Sequence, residues 1–94
     1  MEKTIVPMSK EDSELVEMYF YRYNAYAELL NYLMKNTIIK ENQEVFNQKW
    51  DEATILYGQL ERVKQEIEQK YHPEGQWSNY TFNFLHHCLE YEPV

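Results

Sequence analysis

Residues 9–35 read SKEDSELVEMYFYRYNAYAELLNYLMK, and this proline-free stretch decides the fold. Ser9 stands three residues before Asp12, which is the spacing of an N-cap followed by an acidic third helical residue. Apolar residues then recur in steps of three and four, as on a helix that packs against another helix, at Val16, Tyr19, Tyr23, Tyr26, Leu30 and Leu33. The sequence therefore predicts a first helix over about 9–35.

A second stretch with helical periodicity follows a loop predicted within 35–42. Its apolar residues are again three or four positions apart, at Phe46, Trp50, Ala53, Leu56, Leu60, Val63, Ile67 and Tyr71. Pro73 disfavours helical backbone at His72 and ends the pattern. We therefore predict a second helix over about 41–71, antiparallel to the first. Gly58 lies inside it, which predicts either a close helix contact or a local distortion there.

The tail beyond the turn at Pro73-Glu74-Gly75 has a period of two. Apolar residues alternate with polar ones, as on a strand with one apolar face, at Tyr80, Phe82, Phe84, Leu89 and Tyr91. This pattern favours a short C-terminal β-hairpin or strand over about 76–92, packed on the helices, with its turn around Leu85-His86-His87. Thr4-Ile5-Val6 can add an edge strand that Pro7 closes.

Residues 84–91 also permit a helical interpretation, because their apolar positions have the i, i+1, i+4, i+5 spacing of a helix face, at Phe84, Leu85, Cys88 and Leu89. The fold class predicted from the whole chain is mainly α, an antiparallel two-helix hairpin with this short tail. Phe20, Ala27 and Met34 lie outside the apolar stripe of the first helix, so this helix is more apolar around its circumference than a hairpin needs. We therefore expect a homodimer with a four-helix arrangement.

The chain has 94 residues, and its 9 Lys and Arg against 16 Asp and Glu give a formal charge of −7. This length predicts a single small domain over 1–94 and excludes a two-domain enzyme. An acidic chain does not offer the cationic surface that nucleic acids require, so we expect no direct nucleic-acid binding.

Cysteine usage and hydropathy bear on the compartment. Cys88 is the only cysteine, which excludes an intramolecular disulfide and favours an intracellular protein. The first eight residues lack the apolar core of a signal peptide, and no stretch approaches roughly 18 apolar residues. We expect a cytoplasmic protein without membrane contact.

Few residues suggest catalytic or metal chemistry. On a strand, His86 and Cys88 lie on one face and are the pair best placed to share a metal ion. The sequence contains no Cys-x-x-Cys, His-x-x-x-His or Glu-x-x-His motif and no Gly-rich phosphate loop. We expect no metal, no cofactor and no enzymatic activity.

Aromatic residues are frequent, with nine tyrosines, four phenylalanines and two tryptophans. Many fall on the first helix, where they cannot all face one core. Because tyrosine combines a large apolar ring with a polar tip, it is enriched at interfaces. We predict a partner-binding surface formed by Phe20, Tyr21, Trp77, Tyr80, Phe82 and Phe84. An uncovered edge of the tail strand would also accept an extended peptide.

Two short segments carry a resemblance to known families, Lys70-Tyr71-His72-Pro73-Glu74-Gly75 and Asn79-Tyr80-Thr81-Phe82-Asn83-Phe84. With them, residues 18–92 resemble small accessory proteins of Firmicute gene clusters that make post-translationally modified peptides, including clusters with Cys-repeat precursors and radical-SAM maturases. The chain is more loosely similar to small two-helix spore-coat assembly proteins that end in a Lys-Tyr-x-Pro turn, although its second helix is longer and its tail differs. Both resemblances imply a non-catalytic helper that binds another polypeptide.

Two functional hypotheses follow from these features. The first is a non-catalytic accessory or adaptor protein that binds a protein or peptide partner in bacterial ribosomal-peptide modification. The second is an acidic, phage-type inhibitor that blocks the basic nucleic-acid-binding site of a host defence protein by presenting carboxylates in place of phosphates. The first predicts salt-tolerant binding that depends on aromatic residues, and the second predicts binding that weakens steeply with salt.

Overall fold

The computed structural model describes residues 2–35 and 43–94. Its elements in chain order are β1 (Thr4–Pro7), α1 (Lys10–Lys35), α2 (Gln43–Tyr71), β2 (Trp77–Asn83) and β3 (Cys88–Pro93). The predicted mainly α fold with a C-terminal β-hairpin is confirmed, and the helical interpretation of residues 84–91 is wrong. Residues 36–42, which contain the predicted loop and the first two residues of the predicted second helix, lie outside the described residues.

The chain divides into two compact units, one made of residues 1–17 and 63–94 and the other of residues 18–62. The buried core of the first unit consists of Met8, Ser13, Val16, Val63, Ile67, Cys88, Leu89 and Tyr91. In the second unit the buried residues are Leu30, Ala53, Leu56 and Leu60. The single domain over 1–94 stays a prediction.

Within residues 18–62 the two helices run antiparallel. Tyr23 contacts Tyr57 with ring centroids 5.2 Å apart, and the Lys49 Nζ lies 6.0 Å from the Tyr26 ring centroid. A later residue of α1 therefore meets an earlier residue of α2. This is the hairpin that the apolar stripes predict.

The start of α1 is held by a polar network in the first unit. The Ser9 hydroxyl accepts a hydrogen bond from the Asp12 amide (3.1 Å), as expected for an N-cap. The Tyr71 hydroxyl donates to Asp12 Oδ2 (2.6 Å) and accepts from the Ser9 amide (3.0 Å). Lys70 Nζ lies 2.8 Å from the same carboxylate. Hydrogen bonds from Lys70 and Tyr71 hold the pKa of Asp12 below its usual value.

The sheet has three antiparallel strands in the order β1-β3-β2. Thr4 pairs with Tyr91, and Tyr91 pairs with Tyr80 on its other side. The edge strand predicted at Thr4-Ile5-Val6 is therefore present, and it extends to Pro7. Leu89 and Tyr91 lie on the face of β3 that also carries their β2 partners Phe82 and Tyr80, and they are covered almost completely, at 0% and 1% exposure.

Residues 84–87 form the turn between β2 and β3. His87 has a φ of 51°, the left-handed conformation that lets a short hairpin loop close. Its Nδ1 lies 2.9 Å from the buried Ser13 hydroxyl, and its carbonyl accepts from the Met8 amide (2.9 Å). The Asn83 side chain accepts from the His86 amide (3.1 Å). The turn predicted around Leu85-His86-His87 is confirmed.

Gly58 lies within the continuous helix α2, on its exposed side. A Cβ built at this position meets no described residue within 4 Å, so the close helix contact expected from the sequence is not found in the described part of the chain.

Gly58→Ala should therefore raise the free energy of unfolding by about 0.5–1 kcal/mol, because alanine loses less backbone entropy in a helix. Urea denaturation followed by circular dichroism measures this change, and a destabilised variant would contradict it.

Candidate functional site

Five aromatic rings of the tail form one continuous chain of contacts, which we call the aromatic row. Successive ring centroids lie 5.7, 5.8, 5.9 and 6.0 Å apart through the members of the row, Trp77, Tyr91, Tyr80, Phe82 and Phe84. These separations lie within the range of favourable aromatic pairs. Tyr91 is buried, whereas the other four rings are half-buried and retain surface in contact with solvent.

Tyr91 anchors the row to α2. Its hydroxyl donates to Glu68 Oε1 (2.9 Å), and the His72 ring meets the Tyr91 ring edge-on with centroids 5.9 Å apart. His72 Nδ1 also contacts Glu68 Oε1. Burial, and then the hydrogen bond to Glu68, raise the pKa of Tyr91. The phenol therefore remains protonated and acts as a fixed donor.

The turn after α2 positions Trp77, the first ring of the aromatic row. Gly75 has a φ of 116°, a conformation that side-chain-bearing residues rarely adopt. Trp77 follows two residues later, and its Nε1 donates to the Pro73 carbonyl (3.4 Å). The turn thus holds the first ring of the row against Tyr91.

The backbone amides and carbonyls of successive β2 residues point alternately towards β3 and away from it. The Met8 amide donates to the His87 carbonyl, one residue beyond the last pair of β1 with β3. Along an antiparallel ladder, residue pairs that exchange main-chain hydrogen bonds alternate with pairs that do not. Since His87 bonds to the β1 side, the odd-numbered residues of β3 form their main-chain hydrogen bonds with β1, and the even-numbered ones form theirs with β2. Thr81 is therefore bonded to its partner Glu90, whereas the amide and carbonyl of Phe82 point away from β3. Phe82 presents a main-chain donor and acceptor at the outer edge of the sheet.

The two outer strands differ in the protection of their edges. β1 has four residues, ends in Pro7, and is preceded by Lys3, which pairs with Glu90 (3.8 Å) and Glu92 (3.6 Å). β2 has seven residues and contains neither proline nor a charged side chain, and its register shifts only between Trp77 and Asn79. Native sheets use charge, proline and short length to prevent strand addition. β2 is the edge suited to accept another strand.

The predicted partner-binding residues fall into two groups. Trp77, Tyr80, Phe82 and Phe84 come together in the aromatic row, half-buried rather than fully exposed. Phe20 and Tyr21 lie on α1 in the unit of residues 18–62, with exposures of 41% and 64%. They do not belong to the row.

Sequence reasoning missed an apolar groove in the unit of residues 18–62. The groove has a volume of about 340 Å³ and lies between α1 and α2, lined by Tyr23, Ala27, Leu30, Asn31, Met34, Trp50, Ala53, Thr54 and Tyr57. Trp50 sits on the stripe predicted to be buried, yet 54% of it is exposed. Met34 is the sequence signal that points to the groove, because it is an apolar residue outside the apolar stripe of the first helix. In the structure it is 61% exposed.

The residues considered for metal or thiol chemistry are not gathered into a site. Cys88 is buried, and desolvation, followed by the charge of Glu90, raises the pKa of its thiol. Such a thiol is a poor nucleophile. Within residues 2–35 and 43–94, no three His, Cys, Asp or Glu side chains are close enough to hold a metal ion together.

No helix in the described part of the chain has the length and apolar character needed to cross a membrane. Comparisons of the chain with protein families, curated proteins and solved structures give no match.

Proposed function

We propose that the protein is a non-catalytic accessory or adaptor that binds an extended peptide segment of a partner along β2. The observation that carries this proposal is the coincidence, on one strand, of an unprotected sheet edge and the aromatic row. A peptide added beside β2 would bond the outward amide and carbonyl of Phe82, as in other cases of strand addition. The apolar side chains of the peptide that lie on the face of the aromatic row would cover the half-buried rings of this row.

The chemistry of the partner segment follows from the edge it meets. β2 offers uncharged polar side chains on one face, including Thr81, and aromatic rings on the other. A complementary strand therefore alternates apolar residues, which cover the row, with polar ones. Since the site itself has no charged side chains on β2, this binding should tolerate salt.

The place of such an adaptor in ribosomal-peptide modification is supported by where the resemblance falls. Its two segments are residues 70–75, which comprise the end of α2 and the turn that positions Trp77, and residues 79–84, which contain three rings of the aromatic row. An extended, unfolded precursor peptide is the type of polypeptide that a sheet edge can bind. The adaptor would hold the precursor while a separate enzyme modifies it.

A peptide-selection experiment tests the proposal. Random linear peptides displayed on phage are selected on the purified protein, together with any precursor peptide encoded beside its gene, and affinities are measured by fluorescence polarisation. Phe82→Thr removes the ring and introduces a β-branched residue, which is also suited to a strand. We expect this variant to weaken binding at least about tenfold, as for an aromatic hot spot.

The matched control is Thr81→Ser, on the opposite face of the same strand, which should leave the affinity unchanged. Peptides that bind both variants as tightly as the wild type would refute the proposed site. Binding that falls steeply between about 0.05 and 0.5 M salt and depends on glutamates would instead favour the acidic-inhibitor hypothesis.

A further inference from the structure

We infer that the apolar groove of residues 18–62 is a self-association surface, which packs against the same groove of a second copy of this chain. The sequence predicts a homodimer but does not say through which residues. Both α1 and α2 line the groove, so each copy would contribute two helices to the contact and two copies would form a four-helix arrangement. This inference is independent of the peptide-binding proposal, because the aromatic row belongs to the other unit.

Aromatic side chains at and beside the groove leave apolar area exposed to water. Trp50 is 54% exposed, Tyr57 48% and Phe20, which helical geometry places on the same side of α1 as Ala27, 41%. With roughly 200 Å² per ring, these three leave about 300 Å² of aromatic surface exposed. A standard interface buries about 800 Å² on each partner, so the rings would form its centre and the adjoining helix sides its rim.

The groove and the unit that contains it carry little net charge. None of the nine described residues that line the groove is charged. Residues 18–62 contain five basic and six acidic residues, a net charge of −1, whereas the remaining residues contain four basic and ten acidic ones, a net charge of −6. Two copies can therefore meet through this unit with little net repulsion, and a strongly charged partner finds no opposite charge among the described residues that line the groove. An identical, nearly neutral surface satisfies both conditions.

Large and small side chains alternate along the groove. Trp50 and Tyr57 project on either side of Ala53 and Thr54 along α2, and Ala27 lies opposite on α1. In a two-fold symmetric contact each residue meets its counterpart reciprocally, so large residues of one copy can enter the spaces above small residues of the other. A single peptide helix would fill the groove without this reciprocity.

Sedimentation equilibrium of the purified full chain tests the inference over a wide concentration range. We expect a concentration-dependent dimer, whose Kd rises at least about 30-fold in Trp50→Glu, as for the loss of a hot-spot aromatic. The control is Ile55→Glu, which places the same charge at a 63% exposed apolar position five residues further along α2, about 140° around the helix. This variant should dimerise like the wild type, and circular dichroism confirms that both variants are folded.

Two results would overturn the inference. One is a wild-type chain that sediments as a monomer at every concentration. The inference fails in this case even if the groove binds an added amphipathic helical peptide. The other is a dimer whose Kd is unchanged by Trp50→Glu, which would show that the copies associate through a different surface.

Discussion

Tyr91→Ala lowers the free energy of unfolding by about 3–5 kcal/mol, the cost of truncating a large buried aromatic residue. Tyr91 is 1% exposed, and its ring contacts those of Trp77, Tyr80 and His72. Its removal leaves a cavity under the centre of the aromatic row and deprives Glu68 of a hydrogen-bond donor. Urea denaturation followed by tryptophan fluorescence measures the loss.

Tyr91→Phe is the matched control for this substitution. It keeps the ring and removes the hydroxyl that donates to Glu68, so it should cost about 0.5–1.5 kcal/mol, the net contribution of one hydrogen bond, because Glu68 keeps its contact with His72. A loss below about 1 kcal/mol in Tyr91→Ala would contradict the description of Tyr91 as the anchor of the row.

Asp12→Asn is expected to destabilise the protein by about 0.5–1.5 kcal/mol at neutral pH, because the ion pair with Lys70 is exposed to solvent and asparagine keeps an oxygen acceptor for Tyr71. The Asp12 carboxylate joins the start of α1 to the end of α2 through Lys70 and Tyr71. Glu11→Gln, one position earlier on the exposed side of the helix, is the control and should change stability by no more than about 0.5 kcal/mol.

The contribution of Asp12 depends on pH in a defined direction. Its pKa is lower in the folded protein than the ordinary value of 3.8, because Lys70 and Tyr71 stabilise the charged form. The stabilisation is therefore complete above the unfolded-state pKa and is lost as the pH falls through the folded-state pKa. The stability difference between wild type and Asp12→Asn should shrink towards zero in this acidic window. A difference that persists unchanged below it would contradict the assignment.

Much of the fold could be predicted because local signals agree with the tertiary structure. The cap at Ser9, the helical spacing of the apolar residues and Pro73 place the helix ends within one or two residues of those observed in the described part. The alternation through Tyr80 and Phe82 predicts β2, and pairing with β3 explains why strand rather than helix forms. Neighbouring strands satisfy backbone groups that a short, isolated helix would leave to solvent.

The candidate site could be predicted only in part. Alternation along the chain places Tyr80 and Phe82 on one face, but which strand lies at the edge depends on β1 pairing with β3 from the far end of the sequence. The exposure of Trp50 was missed for a similar reason. A step of three or four residues places it on the apolar stripe, whereas its burial depends on how α1 and α2 pack.

Hydrogen exchange at two neighbouring amides of β2 reports directly on whether a peptide adds to this strand. In the free protein, the Thr81 amide, which bonds to Glu90 in β3, should exchange slowly, whereas the outward Phe82 amide should exchange fast. When a selected peptide saturates the protein, exchange at the Phe82 amide should slow by at least about tenfold, because a strand partner then accepts its hydrogen bond. Saturating peptide that leaves the Phe82 amide as fast as before would contradict strand addition at β2.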